Sequence, residues 1–140
     1  MSSARTFVID PSRGAASEFS EQFEEWAMQH DVPDRTIRAF QVVFDEMLTN
    51  AIDYGLEGKP DALLQVTVSY YPDRLTALIV DNGLAFDPLV EAEAPDTEAS
   101  LEDRPIGGLG IHLVKSLMDS ASYERSEDCN LLSLSKHFEE

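Results

Sequence analysis

The chain has 140 residues, 43% hydrophobic and 26% charged, which is the size and balance of one globular domain with a real core. Ten Lys and Arg stand against 27 Asp and Glu, a net charge of −17. That balance argues against nucleic-acid binding, which needs a basic footprint, and against anionic membrane surfaces. A lone cysteine, Cys129, leaves no intrachain disulfide, and the three histidines have no metal-site spacing. The N-terminus lacks the apolar core of a signal peptide and no apolar run reaches spanning length, so a cytoplasmic protein is expected.

Residues 6–9 form a short strand-like run that ends at Asp10-Pro11. Between residues 12 and 30, Phe19, Phe23, Trp26 and Ala27 recur at helical spacing. Pro33 breaks that helix and opens the next, whose apolar stripe is Ile37, Phe40, Phe44, Met47, Leu48 and Ala51, with Gly55 as its stop. Leu64, Val66, Val68 and Tyr70 alternate with polar residues as a strand, and Pro72-Asp73 reads as a hairpin turn. Residues 75–80 are nearly continuous apolar sequence, the mark of a central strand. Residues 84–106 are acidic, proline-rich and aperiodic and read as a long mobile loop, of a length that is usually functional or disordered. Three glycines at 107, 108 and 110 open a third helix, followed by strands at 120–124 and 131–136 around a turn at 127–130. Strand, two helices, two strands, loop, helix and two strands make an α+β two-layer sandwich, a mixed and mostly antiparallel sheet covered on one face by three helices.

Three polar features stand out. In the second helix Glu46, Asn50 and Asp53 fall at i, i+4 and i+7, a polar stripe beside the apolar one. Asn50 has an amide oxygen suited to magnesium, and Glu46, roughly 6 Å along the axis, is placed to take a proton from an attacking hydroxyl. The glycines of "GGLG" let backbone amides approach an anion at a helix start, although neither the P-loop nor the dinucleotide fingerprint is present. Asp81-Asn82-Gly83 ends the central strand. Asn-Gly is a strong hairpin signal, but no partner strand follows within reach. Asp81 is therefore read as an acceptor for a purine amino group, Gly83 as a gap for a flat base, and Asn82 as the turn former.

Glu46-x-x-x-Asn50, Asp81-x-Gly83 and Gly108-x-Gly110, in this order, resemble the N, G1 and G2 boxes of the GHKL ATPase and kinase superfamily. The wording "EMLTNAIDYG", "DNGLAFDP" and "GGLGIHLVKSLMD" is most similar to bacterial anti-sigma factor serine kinases, over nearly the whole chain. The resemblance implies a single ATP-binding domain over 1–140, with residues 84–106 as its lid. It implies Mg2+ on Asn50, and ATP contacts from Asn50, Asp53, Asp81, Gly83, Phe86, Arg104, Gly107, Gly108, Leu109, Gly110 and Ile111. Glu46 becomes the base for a serine hydroxyl on a STAS-domain anti-anti-sigma partner, with a sigma factor as a frequent second partner and homodimers common. Tyr54 stands where many relatives have His. A non-catalytic module that binds ATP and sequesters a partner is the other function compatible with these residues.

Overall fold

The computed structural model describes residues 2–12, 14–91 and 108–138. Five strands, β1 (Ser3–Val8), β2 (Leu64–Tyr71), β3 (Arg74–Asp81), β4 (Ser120–Ser126) and β5 (Cys129–His137), form one sheet in the order β1-β2-β3-β5-β4. The helices are α1 (Ala15–Gln29), α2 (Asp34–Asn50), α3 (Pro88–Glu91) and α4 (Gly108–Leu117). All four strand pairings are antiparallel, so the mixed component expected of the sheet is not found among the described strands. Nor is the segment after β3 pure loop. Asp87 accepts the Leu89 N–H at 2.9 Å and starts α3 within it.

The alternation read in β2 becomes a two-faced sheet. Leu64, Val66 and Val68 are buried with Leu75, Ala77 and Ile79 of β3, while the outer face carries hydroxyls such as Thr6 and Thr67, paired at 2.8 Å. Against the inner face lie α1, α2 and α4. Phe19 meets Phe7 of β1 and Phe44 of α2 edge-on, each with ring centroids 5.1 Å apart, and Phe23 meets Phe44 in the same way. Such edge-to-face contacts add about 0.5–1.5 kcal/mol each beyond the area they bury. They tie α1 to β1 and to α2.

Two connections depart from the ordinary use of glycine. Helix α1 ends with Asp31 in the left-handed conformation (φ 59°) while Asp31 N–H bonds the Met28 carbonyl and Val32 N–H the Ala27 carbonyl. That is a Schellman cap with Asp in the place usually held by Gly. The β4–β5 hairpin turns on Glu127 and Asp128, at φ 52° and 66°, so the loop is only two residues long. Positive φ at both central residues is the type I′ pattern that matches strand twist. Cys129 and Asn130 therefore belong to β5, whereas the sequence placed them in the turn.

Asp119 closes the far end of the β4–β5 pair. Its carboxylate accepts the backbone N–H of His137 at 2.6 Å and faces the His137 ring at 3.3 Å. The His137 backbone bond first, then the His137 side chain and the Lys136 charge, hold its pKa below the usual 3.8. A depressed carboxylate stabilises the fold above its unfolded-state pKa and loses that contribution as pH falls through the folded value. The prediction is that wild type exceeds Asp119→Asn in urea stability near neutral pH and that the gap closes in acid below the usual carboxylate range. A gap independent of pH across that range would show that the carboxylate charge is not what matters there.

Candidate nucleotide site

Helix α2 does not stop cleanly. Its last turn widens into a π-helical turn over Ala51–Gly55, closed by the Leu56 N–H on the Ala51 carbonyl at 2.8 Å. Isolated π turns of this kind concentrate at functional sites. The widening carries Gly55 against the end of β3, where the Leu84 N–H donates to the Gly55 carbonyl at 3.1 Å. A Cβ on Gly83 would sit 2.5 Å from the Gly55 oxygen and 2.7 Å from its carbonyl carbon. Gly83 is not at positive φ, so it is required for close approach of two backbones and not for its conformational freedom. In the direction a Gly83 side chain would take, the space is filled by the Gly55 backbone.

Between this helix end and the inner face of β3 and β5 lies a cavity of about 280 Å³. Met47, Ile79, Leu132, Leu84, Ala85 and Pro88 make its apolar walls, and Tyr54 and Phe86 stand at its edge. At the low end of small-molecule pockets, this volume suits one flat heteroaromatic group with the rest of the ligand outside. The polar groups on the lining are Asn50, Tyr54, Asp81, Tyr123 and Asn130.

Asp81 is half-buried at the end of β3, opposite Leu64 on one side and Asn130 on the other. Both of its protein hydrogen bonds fall on Oδ1: the Gly83 N–H donates at 2.8 Å and Asn130 Nδ2 at 3.0 Å. Oδ2 remains as an acceptor beside the apolar walls. One turn apart on α2, Asn50 Nδ2 donates to Glu46 Oε2 at 3.4 Å. That bond turns the Asn50 amide oxygen away from the carboxylate, as a hard-cation ligand requires. No group of three His, Cys, Asp or Glu side chains capable of holding a metal occurs among the described residues. A cation here would take Asn50 together with oxygens from phosphate and water.

The structure thus brings Asn50, Asp81 and Phe86 to one cavity, with Gly83 buried beneath it and Glu46 bonded to Asn50. Asp53 is exposed in the π turn and is not among the residues lining the cavity. Gly108, Leu109, Gly110 and Ile111 form the first turn of α4, which packs on α2. Arg104, Gly107 and most of the segment read as a lid lie outside the described residues. Asn82 is not a turn former: its side-chain oxygen accepts the Leu63 N–H at 2.7 Å and its Nδ2 donates to the Asp61 carbonyl at 3.0 Å. It pins the approach to β2 against the end of β3. The sequence reads Asn130 into the turn because a Glu-Asp turn carries no Asn-Gly or Asp-Gly signature, and it gives Tyr123 and Arg125 no site role because their link to Asn130 depends on strand register.

The description of the histidine kinase-like ATPase domain matches residues 10–136. The chain belongs to that family. Within it, the chain is similar to the serine/threonine-protein kinase BtrW of Bordetella bronchiseptica, 32% identical over 66% of this chain and 65% of that one. It is also similar to the serine-protein kinase RsbW of Listeria monocytogenes, 28% identical over 69% of this chain and 63% of that one. The matched region thus spans somewhat under two thirds of each relative. Among solved structures, the RsbU and RsbW domains of a Mycobacterium tuberculosis protein superpose on 96% of this chain and 32% of theirs, with a TM-score of 0.69 and 14% identity. That likeness shows that this histidine kinase-like ATPase domain has the expected fold. No helix among the described residues is long and apolar enough to cross a membrane.

The Gly83–Gly55 approach yields a prediction of its own. Gly83→Ala forces apart two backbone segments that have no flexible atoms to yield, so unfolding free energy should fall by about 1–3 kcal/mol, as overpacking generally costs. Chemical denaturation checks it, and wild-type stability in the alanine variant would mean that the two segments separate freely.

Proposed function

We infer that this domain binds Mg-ATP in the cavity and transfers the γ-phosphoryl group to a serine of a partner protein. The observation that carries this reading is the pairing of an acceptor carboxylate, Asp81, inside an apolar slot with the Glu46–Asn50 pair on the adjoining helix. Adenine fits the slot with its amino group donating to Asp81 Oδ2. Asn50 is the residue that would hold magnesium, which would offset the phosphate charge on a chain of −17. The backbone amides that open α4 at Gly108, Leu109, Gly110 and Ile111 would receive the phosphates, with Arg104 and Gly107 just upstream. Asp53 belongs at the outer margin of such a site.

Chemically, Glu46 accepts the proton of the serine hydroxyl as its oxygen bonds to the γ-phosphorus. The bond from that phosphorus to the β–γ bridging oxygen breaks, and ADP leaves. In-line transfer of this kind depends mainly on positioning and electrostatics, with the base adding about 10²–10⁴-fold. The two relatives described above are named a serine/threonine-protein kinase and a serine-protein kinase, which supports this reaction class. The partner proposed is a STAS-domain anti-anti-sigma protein, with a sigma factor as a second ligand, a homodimeric state and a cytoplasmic setting. Residues 84–106 would close over the nucleotide as the lid of a single domain.

Two measurements bear on this. Mg-ATP at about 100 times its Kd should stabilise the protein by roughly 2.7 kcal/mol, read as a thermal shift. Glu46→Gln should keep that shift and lose about 10²-fold or more in transfer of labelled phosphate to the STAS partner. Equal transfer by both proteins would remove Glu46 from the mechanism. ATP binding by wild type with no phosphoprotein formed would leave a nucleotide-dependent sequestering module.

A further inference from the structure

Asn130 and Thr36 are the buried polar side chains among the described residues, and Asn130, 8% exposed, lies on the wall of the cavity. A buried amide is costly unless its donors and acceptors are matched. Its oxygen accepts from the Tyr123 hydroxyl, from Arg125 Nη1 at 3.1 Å and from the Phe86 N–H at 3.4 Å. Its nitrogen donates to Asp81 Oδ1 at 3.0 Å and to the Leu84 carbonyl at 2.8 Å. Arg125 Nη1 also donates to the Gly83 carbonyl at 2.9 Å. A flipped amide would set donor against donor or acceptor against acceptor at every contact except the adaptable Tyr123 hydroxyl, so the orientation is dictated by its neighbours.

The consequence falls on Asp81. With Gly83 N–H and Asn130 Nδ2 both on Oδ1, the lone pairs of that oxygen are used and the carboxylate cannot turn. Oδ2 alone is offered to a ligand. Adenine needs one acceptor, for its exocyclic amino group. Guanine presents N1–H and its 2-amino group side by side, a donor pair that calls for both oxygens of a free carboxylate. Its 6-oxo group would moreover set acceptor against acceptor where an adenine amino group donates. In a slot with apolar walls a mismatch of this kind is not relieved by water.

We propose that Asn130, braced by Tyr123 and Arg125, is a positioning residue that restricts Asp81 to a single free oxygen and so makes the site select adenine over guanine nucleotides. The proposal rests on the nucleotide-binding reading above. Arg125 and the Tyr123 hydroxyl act through Asn130, the Tyr123 ring itself being part of the wall, while the Asn130 bond to Leu84 and the Arg125 bond to Gly83 hold the chain that walls the slot.

The test is calorimetric binding of Mg-ATP and Mg-GTP to the full chain, in wild type, Asn130→Ala, Tyr123→Phe and Asp81→Asn. Wild type should prefer ATP. Asn130→Ala should narrow the ATP-to-GTP ratio by about tenfold, the scale of a hydrogen bond to a charged group, with GTP affinity rising as ATP affinity falls. Tyr123→Phe, which loosens Asn130 without touching Asp81, should narrow the ratio by a smaller factor. Equal weakening of both nucleotides in Asn130→Ala, with the ratio kept, would reduce Asn130 to a structural support and overturn the proposal. If that variant does not fold, an unchanged ratio in Tyr123→Phe overturns it instead. Wild type binding neither nucleotide would sink the underlying reading. Wild type binding ATP while Asp81→Asn keeps the preference would place base selection elsewhere and overturn the proposal alone.

Discussion

The site depends on two backbones lying closer than any side chain would allow. Gly83 has no Cβ, the Gly55 carbonyl comes to where one would be, and the Leu84 N–H bonds that same carbonyl. This contact fastens the end of α2 to the end of β3. The buried face of α2 packs in the same core as β3, and this contact adds the backbone tie that fixes its C-terminal end beside the strand carrying Asp81. The π turn is part of the same constraint, since it carries Gly55 across to β3.

Around that contact the polar groups are few, and most of their hydrogen-bonding atoms are already paired. Asp81 takes two donors on one oxygen, Asn130 is matched on both sides of its amide, and Asn82 is spent on the chain before β2. The cavity walls are otherwise apolar. Local polarity is thus confined to a few directed groups, which gives them more weight than they would have in water. The chain's large negative charge makes the same economy necessary for a polyanionic ligand: cation, helix start and backbone amides must do the neutralising.

Much of this was legible in the residues. The 3.6-residue stripes of Phe19, Phe23 and Trp26 and of Phe40, Phe44 and Met47 gave α1 and α2 their buried faces, and alternation gave β2 its register. Glu46 and Asn50 were rightly placed together, because an i, i+4 relation within an α-helix is local. Asp53 lies in the π turn and outside the cavity lining, and a widened turn leaves no mark in the spacing of side chains. Gly83 was singled out for the space it leaves, and the neighbour that the structure shows against it is the Gly55 backbone. Asn130 was assigned to a turn, since Glu127 and Asp128 adopt positive φ without the residues that usually announce it. The short helix α3 escaped for want of length, as four residues cannot show a period.

The residues alone marked the long helices and the strand cores, their apolar faces, and the three short motifs that belong together along the chain. These follow from near-neighbour spacing and from the chemistry of single side chains. Tertiary structure alone decided that Gly83 yields space to Gly55, that one oxygen of Asp81 is occupied, and that Asn130 lies opposite Asp81 across a strand pair. The reason is physical. Each of these depends on strand register and on the closing of a helix end against a sheet, where residues 28 and 49 positions apart come within hydrogen-bond distance or less.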